Sequence, residues 1–159
     1  MNSLLVTASY YVYFISSWEI IFGFIFAIAL WLMAKKRFPA LKVFALSTLL
    51  TSILTLLIKD VTKISRPADA LIGLNDYAFP SGHTAIGFFL LTFLANYIWR
   101  SNKSRLFKST ATLILTLAIL AIVASRLILR VHTLTQILAG AVLGIGITLW
   151  LIKKYDDKL

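Results

Sequence analysis

Residues 14–34 form an almost unbroken apolar run whose one ionisable side chain is Glu19, and the run ends in Lys35-Lys36-Arg37. Spanning a bilayer takes roughly 20 mainly apolar residues. Four further runs follow, at residues 41–58, 84–99, 110–124 and 134–152. No soluble core of this size needs so many apolar stretches, and 60% of the residues are hydrophobic. The pattern predicts a single domain over residues 1–159, an all-α integral membrane bundle of about five transmembrane helices. No cleavable signal is expected, because "MNSLLVTASYY" lacks a basic n-region.

The charges do not fit a nucleic-acid partner, although the formal net charge is +10. A basic binding face would need polar helices, whereas these charges sit between apolar runs. Lys35, Lys36, Arg37 and Lys42 follow the first run; Arg100, Lys103, Arg105 and Lys108 follow the third; Lys153, Lys154 and Lys158 follow the fifth. With five spans all three clusters fall on one side, which the positive-inside rule makes cytoplasmic. Anionic lipid is partner enough for them. The N-terminus would then be external. Tyr10, Tyr11, Tyr13 and Trp18 are expected in the outer aromatic belt, with Trp31, Trp99, Trp150 and Tyr155 in the inner one.

Five cations remain for the external side: Lys59, Lys63, Arg66, Arg126 and Arg130. Close to several of them lie Ser81, Gly82 and His83, which open the third run, and His132, which precedes the fifth. Ser81 is expected to cap a helix with its side-chain oxygen. The helix start and Gly82 offer backbone N–H groups to an anion. Lys59, Arg66 and Arg126 add donors that match phosphate oxygens. Asp60, Asp69 and Asp76 offer those cations a competing, purely structural use. His83 and His132 are the only histidines, and there is no cysteine. Two histidines beside three cations suit a nucleophile and a proton donor for phosphoryl transfer better than a divalent ion.

Three elements in order, "KDVTKISRP" (59–67), "PSGH" (80–83) and "SRLILRVH" (125–132), resemble the signature motifs of the type 2 phosphatidic acid phosphatase superfamily. The resemblance covers about residues 59–140. It implies a metal- and cofactor-independent membrane phosphatase that acts on a lipid phosphate or diphosphate through a phosphohistidine. His132 would attack phosphorus and His83 would protonate the leaving group. Lys59, Arg66, Ser81, Gly82 and Arg126 would hold the phosphoryl oxygens. It also implies a bacterial inner membrane, with the site on the external or periplasmic face and the C-terminus cytoplasmic. Soluble vanadate-dependent haloperoxidases share the motifs, but five spans argue against that branch. A lipid phosphotransferase would use the same site.

One position departs from the pattern. The family carries an aspartate four residues after the nucleophilic histidine, and here that residue is Gln136. Four residues along a helix is the same face, so Gln136 is expected to accept a hydrogen bond from the ring without supplying charge. A weakened enzyme, or a relative that only binds lipid phosphate, is the alternative outcome. Gly140, Gly144 and Gly146 are read as a close-packing face. Glu19 is read as an interfacial carboxylate, with substrate access or proton exchange as its functional alternative. The sequence singles out neither an oligomer nor a particular lipid.

Overall fold

The computed structural model describes residues 3–155. All regular structure among them is helical: α1 (Ser3–Ile15), α2 (Trp18–Ala34), α3 (Phe38–Thr62), α4 (Gly82–Trp99), α5 (Arg105–Ile128) and α6 (Leu134–Lys154). The all-α membrane bundle expected from the apolar runs is therefore observed. Three helices, α3, α5 and α6, are long and apolar enough to cross a membrane individually, and α1 with α2 forms a fourth, bent candidate. Helix α4 spans the third apolar run, but most of its length is enclosed by its neighbours.

The first run is not one helix. Ser16 and Ser17 interrupt it, and α1 meets α2 at 48°. The Ser16 hydroxyl donates to the Val12 carbonyl at 2.6 Å. Such back-bonding lets a short polar side chain compete with the helical ladder. Ser17 then stands at the N-cap of α2 in extended conformation.

The other boundaries follow from local chemistry. Pro39 sits in the first turn of α3, where its missing N–H costs nothing. Lys63 ends α3 in the left-handed region at φ 49°. Ser104 accepts from the Phe107 amide to cap α5. Thr133 and Gln136 form a reciprocal capping box at the start of α6.

Helix α4 is the centre of the bundle and packs on α3, α5 and α6, while α1 lies on α5 and α2 on α3. The α4–α6 approach depends on two of the three glycines read as a packing face. A Cβ on Gly144 would lie 2.1 Å from the Ala85 carbonyl oxygen, and one on Gly140 2.5 Å from that of Ser81. Gly146 faces open space and takes no part. Away from the site the core is aromatic, with the Phe44 ring 5.4 Å from Phe89 and 4.9 Å from Phe93. Leu49, Leu56, Leu113 and Leu117 point outward and leave apolar surface that suits lipid rather than water.

The two ends of the bundle differ. At one end Lys36, Arg37 and Arg100 surround a cavity of about 230 Å³ beside Ile152 near the end of α6. The α1–α2 elbow, loop 63–81 and the 129–133 turn gather at the other. Loop 63–81 has no regular structure, but backbone bonds pin it: Ala78 N–H donates to Ile64 and Leu71 N–H to Leu129. A long irregular loop held in place this way is typical of a functional element.

Candidate active site

A cavity of about 240 Å³ opens at this second end, and its walls include Lys59, Arg66, Gly82, His83, Arg126 and His132. Six of the eight residues picked out from sequence thus meet around one space. The other two, Ser81 and Gln136, lie directly behind it. Ser81 is fully buried, with its amide donating to the Gln136 carbonyl at 3.0 Å. Its hydroxyl accepts from Thr84 Oγ1 at 2.9 Å. It occupies the N-cap position of α4 but makes no side-chain cap bond, contrary to the capping expected of it. The hydroxyl is turned toward Thr84 instead of back over the helix end.

His132 is 4% exposed and held on both ring nitrogens. Nδ1 lies 3.0 Å from Gln136 Oε1, and Nε2 lies 3.2 Å from Arg66 Nη1. An amide oxygen only accepts and a guanidinium only donates, so Nδ1 carries the proton and Nε2 presents its lone pair. Gln136 Oε1 also accepts from the Thr133 amide at 3.1 Å, which anchors the glutamine to its own helix start. Burial, reinforced by the Arg66 charge, pushes the His132 imidazolium down to about 4 against the opposing pull of Gln136. The ring is neutral at pH 7.

The loop aspartates have separate partners and leave His132 to Gln136. Asp76 takes Lys59 at 2.9 Å and Arg66 at 2.6 Å. Lys59 also donates to the Tyr77 carbonyl. Arg66 bonds the Val131 carbonyl at 2.8 Å through Nη1, the same nitrogen that faces His132. Burial favours the neutral form of Asp76, but the hydrogen bonds from Lys59 and Arg66 prevail and hold its carboxyl below the usual range. Asp69 pairs instead with Arg130 at 2.7 Å. Asp60 belongs to α3 rather than to the loop. The structural use of the cations is therefore real for Lys59 and Arg66.

Arg126 differs. It is 1% exposed and has no acidic partner among the described residues. Nη2 donates to Ser16 Oγ at 2.8 Å, and the guanidinium lies 4.4 Å from the Tyr13 ring centroid. Nε and Nη1 are buried without a partner. Buried donors of a charged group are seldom left unpaired, because each lost hydrogen bond is expensive. On a residue that lines a cavity, two such donors are available to an anion.

Tyr13, Ser16 and Trp18 were not picked out for this site from sequence. Tyr13 and Trp18 were assigned to the outer belt; here one ring covers Arg126 and the other lies 4.1 Å from His83, centroid to centroid. Trp18 also accounts for Gly82, where an added Cβ would come within 3.2 Å of the indole. Glu19 lines the cavity at its exposed rim. The available signal was the Ser-Ser break in an apolar run, with Tyr13 three residues earlier and so on the same helix face as Ser16.

In the comparisons with known proteins, the PAP2 superfamily profile matches residues 40–159. The fold is similar to that of LpxE from Aquifex aeolicus, with TM-score 0.74 and 23% identity over 96% of this chain and 88% of that one. It is also similar to a transmembrane PAP2-type phosphatidylglycerolphosphate phosphatase from Bacillus subtilis, with TM-score 0.83 and 20% identity over 100% of this chain and 80% of that one. No curated protein matches the sequence. The profile covers all three motif elements that build the cavity, and on that ground the chain belongs to the PAP2 superfamily.

Proposed function

We propose that the protein is a metal-independent lipid phosphate phosphatase working through a phosphohistidine at the external face of the membrane. The observation that carries the reading is the pair of unpartnered, buried donors on Arg126, a residue that lines one cavity together with His83 and His132. A tetrahedral phosphoryl group supplies the acceptors those donors lack. The neutral His132 offers its Nε2 lone pair for attack on phosphorus. Burial and the Arg126 charge push the His83 imidazolium down to about 3 in the free enzyme. The bound phosphoryl anion favours the protonated ring, and that proton goes to the departing oxygen as the P–N bond forms and the P–O bond to the lipid breaks. Water then attacks phosphorus with His83 accepting its proton, and the P–N bond breaks to release phosphate. Arg126, Arg66, Lys59 and the Gly82 amide stabilise charge on the equatorial oxygens, the largest contribution in chemistry of this kind.

The lipid substrate is supported by the setting: apolar outer surfaces surround the bundle, and the site lies at one of its ends. The external face is supported by charge, since Lys36, Arg37 and Arg100 lie at the opposite end, where the positive-inside rule favours cytoplasm. The test is release of inorganic phosphate from lipid phosphates and diphosphates in detergent with chelator present. Base-stable, acid-labile label retained on the wild type and absent from His132→Ala would identify the intermediate. Full activity in His132→Ala, or restoration only by added divalent metal, would overturn the mechanism. Product that forms only with an alcohol acceptor would indicate transfer rather than hydrolysis.

A further inference from the structure

We infer that the α1–α2 elbow is a positioning element for the active site, with Tyr13 and Ser16 setting the guanidinium of Arg126 and Trp18 setting the ring of His83. The inference rests on the phosphatase reading above and assigns a role to a segment outside the part of the chain that matches the family profile, residues 40–159.

Ser16 is built to accept. Its single hydroxyl proton goes to the Val12 carbonyl at 2.6 Å, so an oxygen lone pair is left for Arg126 Nη2 at 2.8 Å. The Ser16 carbonyl lies 3.4 Å from the same nitrogen. Tyr13, one turn earlier, covers a face of the guanidinium, a contact that both attracts the cation and fixes its plane. With one nitrogen tied and one face covered, the guanidinium has a fixed plane, and Nε and Nη1 are the donors it has left beside the cavity that Arg126 lines. Arginine loses less entropy on binding when its planar head is held in advance. Two residues after Ser16, the Trp18 indole lies against His83 and against the Cα of Gly82. One bend in the chain thereby braces both the anion donor and the proposed acid.

The arrangement separates two effects. Loosening Arg126 weakens binding of the phosphoryl group whatever the leaving group. Loosening His83 slows departure of alkoxides, which need a proton, and spares p-nitrophenolate, which does not. General loss of packing does neither selectively.

The test uses the full-length protein in detergent, with inorganic phosphate as competitive inhibitor and two substrates, a short-chain lipid phosphate and p-nitrophenyl phosphate. Ser16→Ala and Tyr13→Leu are expected to raise the phosphate inhibition constant about tenfold, as loss of one hydrogen bond or one desolvated cation–π contact to a charged group predicts. Tyr13→Phe keeps the ring and stays within twofold of wild type. Ser9→Ala is the matched control: Ser9 is buried on the same helix and back-bonds Leu5 at 2.8 Å in the same way, but it is remote from Arg126 in the bonding pattern. It leaves the inhibition constant unchanged. Trp18→Leu is expected to lower kcat for the lipid phosphate at least fivefold more than for p-nitrophenyl phosphate. The inference is overturned if phosphate inhibits Ser16→Ala and Tyr13→Leu as it does wild type, or if Ser9→Ala shifts equally. A wild-type protein with neither turnover nor phosphate inhibition would bring down the phosphatase reading itself, and the elbow role with it.

Discussion

Replacing Gln136 with glutamate is the change to which the proposed chemistry should respond most clearly. The two side chains are isosteric, so the oxygen 3.0 Å from His132 Nδ1 keeps its place and gains charge. The cap on α6 survives, because glutamate serves as well as glutamine three residues after a threonine N-cap. A carboxylate in a first helical turn is favourable besides, by about 0.3–1 kcal/mol. As His132 attacks phosphorus its ring becomes cationic, and the Nδ1–H bond then runs to a charged rather than a neutral acceptor. Bonds to charged partners contribute about 1.5–3 kcal/mol against about 1 for neutral ones. The difference, about 1 kcal/mol in the transition state, predicts roughly a fivefold rise in kcat/KM. Aspartate, although usual in the family, is shorter by one C–C bond of about 1.5 Å and would leave Nδ1 out of reach unless α6 shifted. Glutamate should therefore exceed aspartate in this chain. Gln136→Leu removes the acceptor, frees the tautomer and should lower kcat/KM about 10- to 100-fold. That is less than the 10⁴ known for a triad held in the wrong tautomer, the serine-protease case.

The pH profile provides an independent check of sign. His132 must be neutral to attack, and its pKa is about 4, so its protonation sets an acid limb of kcat/KM near pH 4. A carboxylate at residue 136 favours the imidazolium and raises that pKa. The acid limb must therefore move to higher pH in Gln136→Glu and to lower pH in Gln136→Leu. The measurement is kcat/KM on a short-chain lipid phosphate from pH 3.5 to 8, with thermal unfolding confirming the folded state at each point. A glutamate variant no faster than wild type, with its acid limb unmoved, would refute the proposed bond between residue 136 and the nucleophile.

Three further outcomes follow from the geometry. Arg126→Lys keeps a cation but loses the planar set of donors, and should raise KM and lower kcat together, by about 10²-fold or more in kcat/KM measured by phosphate release. Gly144→Ala places a methyl group 2.1 Å from the Ala85 carbonyl oxygen and should cost about 1–3 kcal/mol in unfolding, whereas Gly146→Ala meets open space and should be neutral or slightly stabilising. Asp76 holds Lys59 and Arg66 with a depressed pKa, so its contribution to stability is present above the ordinary carboxylate range and lost as pH falls through the folded value. Between pH 6 and 3 the unfolding midpoint of wild type should drop more than that of Asp76→Asn; parallel curves would assign acid sensitivity elsewhere.

What could be read from the chain without coordinates depended on the range of the interactions. Helices came from the length of the apolar runs, and the cavity came from motif elements at the helix ends, where few geometries are open. Gln136 does meet His132, but not along one helix face: α6 begins at Leu134, and the capping turn brings the Gln136 amide back over the helix start to the ring. The choice among three aspartates was not local: only the path of loop 63–81 decides that Asp76, rather than Asp69, reaches Lys59 and Arg66. The elbow lay furthest from view. Ser16 and Arg126 are 110 positions apart, and nothing near either residue announces the other. Tyr13 and Trp18 have the composition of a membrane-interface belt, and such aromatics face lipid headgroups or a protein interior with no change in local pattern. The distinction comes from what Arg126 requires. A buried guanidinium needs acceptors, Ser16 supplies one, and the two donors still unpaired belong to a residue that lines the proposed phosphoryl site.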